Sequence, residues 1–75
     1  MNEKNVNVQE YFLNQCRKRE IPLKILLKNG VPVSGVLLYF DKFTILIQNN
    51  GKQSLLLKNI ISTIIPLETI DLPIE

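Results

Sequence analysis

The sequence predicts a small, mainly β domain that begins with one helix, and three observations support that prediction. Ile, Val and Thr supply 18 of the 75 residues while Ala is absent, a composition that favours strands over helices. Apolar residues recur with a period of two after Pro22, as they do on one face of a strand. Turn signals near residues 29, 41, 50 and 59 recur every 9 to 12 residues, the spacing of a small sandwich or barrel.

One helix is predicted at residues 8–19. Asn7 is a good N-cap, and Glu10 three residues later resembles a capping box. Pro22 disfavours helical backbone at Ile21 and therefore ends the helix. The predicted helical face, apolar at its start and polar at its end, consists of Val8, Tyr11, Phe12, Gln15, Cys16 and Arg19.

Five strands follow the helix, at about residues 21–27, 31–40, 43–48, 52–57 and 60–65. Asn29-Gly30 is the strongest hairpin signal, and Gly35 indicates either a bend or a close approach of two backbones. Several of these strands are apolar on both faces, whereas a single helix covers only one face of a sheet. A closed ring of identical subunits, joined through the open strand edges, would bury the remaining apolar surface.

Composition excludes several classes of protein. The chain has no His, which excludes a Ser-His-Asp triad, a Cys-His dyad and any His-ligated metal site. Cys16 is the only cysteine, so an intrachain disulfide is excluded and a reducing compartment is favoured. No apolar run approaches the ~18 residues of a membrane span, and the polar start lacks a signal-peptide core. We therefore expect a cytoplasmic protein with no catalytic residues, no metal, no cofactor and no membrane association.

Six segments, taken together in their order and spacing, carry a family resemblance. They are Gln9-Glu10-Tyr11-Phe12-Leu13-Asn14, Lys28-Asn29-Gly30, Gly35, Tyr39-Phe40-Asp41-Lys42-Phe43, Gly51-Lys52-Gln53 and Lys58-Asn59-Ile60-Ile61-Ser62-Thr63. This pattern resembles bacterial Hfq, the ring-forming RNA chaperones of the Sm/LSm family. The Asp-Lys-Phe turn and the Gly-Lys-Gln loop are more similar to Gram-positive than to enteric members.

The resemblance implies both a fold and a function. The fold is Sm-like: an N-terminal helix and a five-stranded, strongly bent antiparallel sheet forming a small open barrel, assembled into a homohexameric ring. We expect a disordered lead at residues 1–7, the Sm-like domain at residues 8–66 and a short acidic tail at residues 67–75. The implied function is RNA binding in post-transcriptional regulation and stress responses, with a role in pairing small RNAs to mRNA.

The resemblance further implies a proximal pore that binds U-rich RNA through Gln9, Lys42, Phe43, Lys58 and Asn59. Phe43 would stack on uracil, and Lys58 would bind phosphate or a base oxygen. Asn59 replaces the family's histidine, so hydrogen bonding is retained while stacking and protonation are lost. The alternative is that Phe43 belongs to the core and that Lys58-Asn59 is only a turn.

A distal face for A-rich or other purine-rich RNA is also implied. The matching residues are Leu26, Leu27, Gly30, Val31, Pro32, Ser34, Ser54 and Thr63. Leu26 stands where members usually carry an aromatic stacking platform, so we expect weaker A-rich binding than in typical members. Alternatively, Leu26 packs between subunits.

The third implied surface is a basic rim of Asn14, Arg17, Lys18 and Arg19. Residues 1–66 contain all 9 cations and 4 acids, whereas the tail carries three acids. A repeated basic belt would screen phosphate repulsion and speed the annealing of two RNAs. The alternative is an ordinary solvated face.

A different functional class also fits this fold. An Sm-fold oligomer could be a protein-interaction scaffold with weakened RNA binding, because the histidine and the distal aromatic are both missing. Retention of Phe43, Lys58 and Gln9, together with the basic run, opposes that interpretation.

Overall fold

The computed structural model describes residues 7–72. The elements are helix α1 (Val8–Lys18), strands β1 (Pro22–Leu27), β2 (Pro32–Phe40), β3 (Thr44–Asn49) and β4 (Lys52–Leu57), a 3-10 turn (Lys58–Ile60) and strand β5 (Ile61–Pro66). The prediction of a helix followed by five antiparallel strands is confirmed. The predicted lead at residues 1–7, apart from Asn7, and residues 73–75 of the predicted tail lie outside the described residues. No helix in residues 7–72 is both long and apolar enough to cross a membrane.

Helix α1 begins at the predicted cap. The side-chain oxygen Oδ1 of Asn7 accepts a hydrogen bond of 3.0 Å from the backbone N–H of Glu10, which satisfies a donor that the first turn leaves free. The buried stripe differs from the predicted face, because Leu13 and Cys16 are buried while Val8 is exposed. Leu13 and Cys16 are three residues apart and therefore lie on one side of the helix, which faces the sheet.

The sheet has the strand order β4-β3-β2-β1-β5, and all neighbouring pairs are antiparallel. Hairpins connect β1 through β4, and β5 returns to pair with β1, so that Ile25 lies opposite both Val33 and Ile64. The core consists of Leu13, Cys16, Ile21, Leu23, Ile25, Leu37, Ile45, Ile47, Leu56 and Ile70. The period of two in β1 and β3 thus directs one face of each strand onto α1 and the core.

Both predicted Asn-Gly turns are present, but their backbones differ. In the β1–β2 turn, Gly30 has a φ of +90° and the side chain of Asn29 accepts a hydrogen bond of 3.0 Å from the N–H of Val31. In the β3–β4 turn, Asn50 and Gly51 have φ angles of +54° and +78°. In the β3–β4 turn, positive φ at both central residues matches the twist of a hairpin, and Asn and Gly adopt it at low cost. In the β1–β2 turn Gly30 has a positive φ but Asn29 does not.

The segment that follows β5 packs on the domain rather than leaving it. The N–H of Leu67 donates to the carbonyl oxygen of Pro22 at 3.0 Å, and the Tyr11 hydroxyl donates to the carbonyl oxygen of Asp71 at 3.1 Å. Ile70 is buried in the core. The first part of the segment predicted as an acidic tail therefore contributes to the folded domain.

Gly35 lies where β2 passes close to the backbone of β3. A Cβ atom at this position would lie 2.7 Å from the carbonyl oxygen of Gln48, a backbone atom that cannot move without distorting the sheet. The close approach predicted for Gly35 is confirmed.

We expect Gly35→Ala to lower the free energy of unfolding by about 1–3 kcal/mol, because the added methyl group overpacks the contact with Gln48. Urea denaturation at a fixed protein concentration measures this change. Ser34→Ala is the control: its side chain is exposed on the same strand, so its effect should stay within about 0.5 kcal/mol. Equal effects of the two substitutions would contradict the steric explanation.

Candidate nucleic-acid interface

The turn between β2 and β3 is organised by the carboxylate of Asp41. Its Oδ1 accepts hydrogen bonds from the N–H of Phe43 at 2.8 Å, the N–H of Thr44 at 2.7 Å and the hydroxyl of Thr44 at 2.9 Å. These bonds, the one from the Phe43 N–H foremost, hold the pKa of Asp41 below its usual value, and the charge of Lys58 acts in the same direction. The ionised carboxylate thus fixes the backbone that carries Phe43.

Phe43 projects from this turn into solvent. Its side chain is 70 % exposed, so it is not a core residue. The Nζ atom of Lys42 lies 5.9 Å from the centroid of the ring, within the range of a cation–π interaction. An exposed aromatic ring beside a cation can stack on a base while the ammonium group binds a phosphate.

Lys58 is held against the same turn. Its backbone N–H donates to the carbonyl oxygen of Phe43 at 2.8 Å, which ties the 3-10 turn to the start of β3. Its Nζ atom lies 5.7 Å from the centroid of the Phe40 ring. The 3-10 turn therefore places the ammonium group of Lys58 beside the ring of Phe40, close to the Asp41 turn that carries Phe43.

All five residues predicted for the proximal pore line one cavity, which we call the Phe43 cavity. Its volume is about 400 Å³, and its lining is Gln9, Lys42, Phe43, Leu57, Lys58 and Asn59. Helix α1, the Asp41 turn and the 3-10 turn each contribute to it. The cavity thus offers a ring that can stack on a base, two amides that can bind the base edge and two cations that can bind the phosphate.

The residues predicted for the distal face are brought together only in part. Leu26 lies opposite Pro32 on β2 and opposite Thr63 on β5, so these three are neighbours across the sheet. Ser54 instead pairs with Ile47 on the far side, in the edge strand β4. Within one subunit, Ser54 and Thr63 therefore belong to opposite edges of the sheet.

The cations predicted for the rim are not equivalent. Nη2 of Arg17 donates to Oδ1 of Asn14 at 3.2 Å, whereas Nη2 of Arg19 forms an ion pair of 3.2 Å with Oε1 of Glu68. Lys18 is exposed. Part of the charge of Arg19 is thus balanced by the segment after β5, whereas Arg17 is half-buried and bonded to Asn14.

A second cavity, which we call the Tyr39 cavity, has a volume of about 550 Å³. It shares Gln9, Lys42 and Lys58 with the Phe43 cavity, and its lining also includes Tyr39 and two of the residues predicted for the rim, Asn14 and Arg17. Sequence reasoning did not select Tyr39, since strict alternation places it on the same face as the buried Leu37. An irregularity in the pairing of β2 with β3 between Leu37 and Tyr39 breaks this alternation, and Tyr39 is 70 % exposed.

Cys16, the single cysteine of the chain, lies in the core. Its burial raises the pKa of the thiol, and the nearby charge of Arg19 opposes that effect only in part. A buried thiol with a raised pKa is a poor nucleophile.

Comparison with known proteins decides the family. A family model described as "Hfq protein" matches residues 8–71. The chain belongs to the Hfq family. A relative from Leptospira biflexa, named RNA-binding protein Hfq, is 49 % identical over 75 residues, which cover 100 % of this chain and 89 % of the relative. A relative of the same name from Desulfitobacterium hafniense is 44 % identical over 72 residues, covering 96 % of this chain and 87 % of the relative.

Solved Hfq structures share the fold. The 1.55 Å crystal structure of the pleiotropic translational regulator Hfq matches with a TM-score of 0.77 and 29 % identity, over 79 % of this chain and 98 % of that one. An Hfq protein from Anabaena sp. matches with a TM-score of 0.75 at 23 % identity, over 81 % of this chain and 98 % of that one. The Hfq family match extends to residue 71 and therefore includes the packed segment that contains Ile70.

We expect Thr44→Val to raise the pKa of Asp41 towards its usual value, because the hydroxyl that donates to the carboxylate is removed. Carboxyl-carbon NMR during an acid titration measures this shift. Since the folded-state pKa is lowered, the stability contributed by Asp41 is present above the unfolded-state pKa and is lost as the pH falls through the folded-state pKa. As the pH falls, the variant should lose the stability contributed by Asp41 at a higher pH than the parent protein does. An unchanged pKa would contradict the assigned hydrogen bond.

Proposed function

We propose that this protein binds U-rich single-stranded RNA in the Phe43 cavity and acts in the cytoplasm as an RNA chaperone in post-transcriptional regulation. The observation that carries the proposal is the convergence of an exposed aromatic ring, two ammonium groups and two amides on one cavity. Relatives that share up to 49 % of the sequence are named RNA-binding protein Hfq. The mechanism is capture and partner exchange, with no covalent step.

Each group in the Phe43 cavity has a part in this proposal. The ring of Phe43 stacks on the base, and this contact does not discriminate between bases. Lys42 and Lys58 neutralise phosphate charge. Preference for uracil comes from Gln9 and Asn59, whose amides both donate and accept and can therefore pair with the N–H and carbonyl groups of the uracil edge.

The edges of the sheet support assembly into a homohexameric ring. Large apolar side chains are exposed on or next to both edge strands, namely Leu55 and Leu57 at β4 and Ile60 and Ile65 at β5. Antiparallel pairing of β4 with β5 of the next subunit satisfies both open ladders and buries these side chains. Because Leu57 and Asn59 line the Phe43 cavity, such a ring repeats the cavity beside each junction.

The other two surfaces have secondary parts in the proposal. Annealing of two RNAs uses Arg17 and Lys18 more than Arg19, whose charge is paired with Glu68. A-rich RNA binds across Leu26 and its neighbours Pro32 and Thr63, more weakly than on an aromatic platform.

Light scattering tests the assembly. We expect a mass of about six times the 8.6 kDa chain. Leu55→Glu places a charge on an edge side chain that is 63 % exposed in the isolated subunit, and should reduce the mass towards that of one chain. Val31→Glu is the matched control, because Val31 is also exposed but lies in the β1–β2 turn rather than on an edge strand. A well-folded parent monomer at micromolar concentration would rule out the ring.

Two substitutions separate stacking from charge in the Phe43 cavity. Phe43→Ala should weaken binding of U-rich RNA by about 1–3 kcal/mol with little change in its salt dependence. Lys58→Ala should weaken binding and also flatten the slope of log affinity against log salt, because fewer counterions are released. Fluorescence anisotropy with labelled RNA, at several salt concentrations, measures both effects.

Lys52→Ala is the charge-matched control for Lys58→Ala. Lys52 is exposed at the opposite end of β4 from the Phe43 cavity, so its removal should change the salt slope less. All variants must retain the mass of the parent assembly. If Phe43→Ala and Lys58→Ala leave the affinity unchanged in intact assemblies, RNA does not bind in this cavity and the scaffold function is favoured.

A further inference from the structure

Tyr39 is a large aromatic side chain that the fold turns outward. The pairing of β2 with β3 passes from Leu37 opposite Ile47 to Tyr39 opposite Leu46, so the strands shift register between them. Such an irregularity re-aims the side chain that follows it. As a result Leu37 lies in the core while Tyr39 is 70 % exposed. Among residues 7–72 the Tyr39 hydroxyl has no hydrogen-bond partner, so neither packing nor hydrogen bonding accounts for this placement.

The surroundings of Tyr39 favour a polyanion with flat, stackable groups. The Tyr39 cavity contains the cations of Arg17, Lys42 and Lys58. Two acids, Glu10 and Asp41, also line it, but the Asp41 carboxylate already accepts hydrogen bonds from the β2–β3 turn. Cations therefore outnumber acids around an exposed aromatic face, which is the combination that holds single-stranded nucleic acid.

The two cavities are neighbours that share part of their lining. Gln9, Lys42 and Lys58 line both the Phe43 cavity and the Tyr39 cavity. Asn14 and Arg17 lie in the Tyr39 cavity and also belong to the rim. The Tyr39 cavity therefore places Tyr39 next to residues of the Phe43 cavity on one side and beside Asn14 and Arg17 on the other.

We propose that Tyr39 is a second stacking residue, which holds the base of an RNA nucleotide outside the Phe43 cavity while Arg17 and Lys42 contact its phosphates. In this way it directs an RNA strand from the Phe43 cavity to the rim of the same subunit. The proposal rests on the proposed function, because it needs RNA in the Phe43 cavity. Tyr39 would make the protein bind longer RNA more tightly, because an RNA that extends beyond the Phe43 cavities gains an extra stacked base.

Tyrosine fluorescence of the assembled protein reports this contact directly. The chain has two Tyr and no Trp, so Tyr11→Phe leaves Tyr39 as the only tyrosine. We expect dodecauridylate at saturation to quench the emission of this variant, because a stacked base quenches the ring. Hexauridylate, which is only long enough to fill the Phe43 cavities of one ring, should leave the emission unchanged.

Affinities give a second measurement. Tyr39→Ala should lower the ratio of dodecauridylate to hexauridylate affinity by about five- to 150-fold, the range of one base–aromatic stack. Tyr39→Phe keeps the ring and should keep the parent ratio, which separates stacking from a role of the hydroxyl. Phe43→Ala should weaken both oligonucleotides, which shows whether RNA occupies the Phe43 cavity.

The outcomes distinguish the two proposals. If dodecauridylate binds in a Phe43-dependent way but neither quenches Tyr39 nor responds to Tyr39→Ala, the second stacking site is wrong and the proposed function stands. Equal quenching by both oligonucleotides would also overturn it, since Tyr39 would then belong to the Phe43 cavity. If neither oligonucleotide binds to the assembled protein, both proposals fail.

Discussion

The rest of the molecule depends on an antiparallel sheet that is covered on one face by α1 and left unpaired at both edges. Ile25 lies opposite Val33 on one side and Ile64 on the other, so β1 is paired along both sides and contributes Leu23 and Ile25 to the core. Burial of its Leu and Ile side chains against α1 is the main favourable term available to so short a chain. The same arrangement leaves β4 and β5 with open backbone groups and exposed leucine and isoleucine side chains, and the proposed ring rests on this feature.

The candidate site is a local consequence of how these strands turn. Asp41 closes the β2–β3 turn through three hydrogen bonds, and the backbone of Lys58 joins that turn from the end of β4. Because β3 and β4 are paired antiparallel, the start of β3 and the end of β4 meet at one end of the sheet. Phe43 and Lys58 are therefore brought together by the hairpin itself.

Much of the fold was predictable because its signals are local. Asn7 as a cap and Asn29-Gly30 as a turn depend on residues close in sequence, and both are confirmed. Three features were missed because they depend on tertiary structure. Leu13 is buried because the sheet lies on its side of α1, Tyr39 is exposed because the register shifts, and Ile70 is buried because a polar segment returns to the core.

The residues of the candidate site also differ in how far the sequence could predict their placement. The five proximal residues come together because they lie on α1 and on two turns that meet at one end of the sheet. The distal residues do so only in part, since Ser54 lies on β4 and Thr63 on β5, at opposite edges of one subunit. In the proposed ring, pairing between subunits would bring such residues close, and periodicity within one chain carries no information about that pairing.

Native mass spectrometry of the protein with hexauridylate tests the central claim most directly, because it weighs the ring and its RNA together. If the Phe43 cavities of one ring bind a single strand, the main complex contains one hexauridylate per homohexamer, and Phe43→Ala removes it while the ring persists. One hexauridylate per chain, or rings that remain free of RNA at excess oligonucleotide, would contradict a shared RNA site built from the Phe43 cavities.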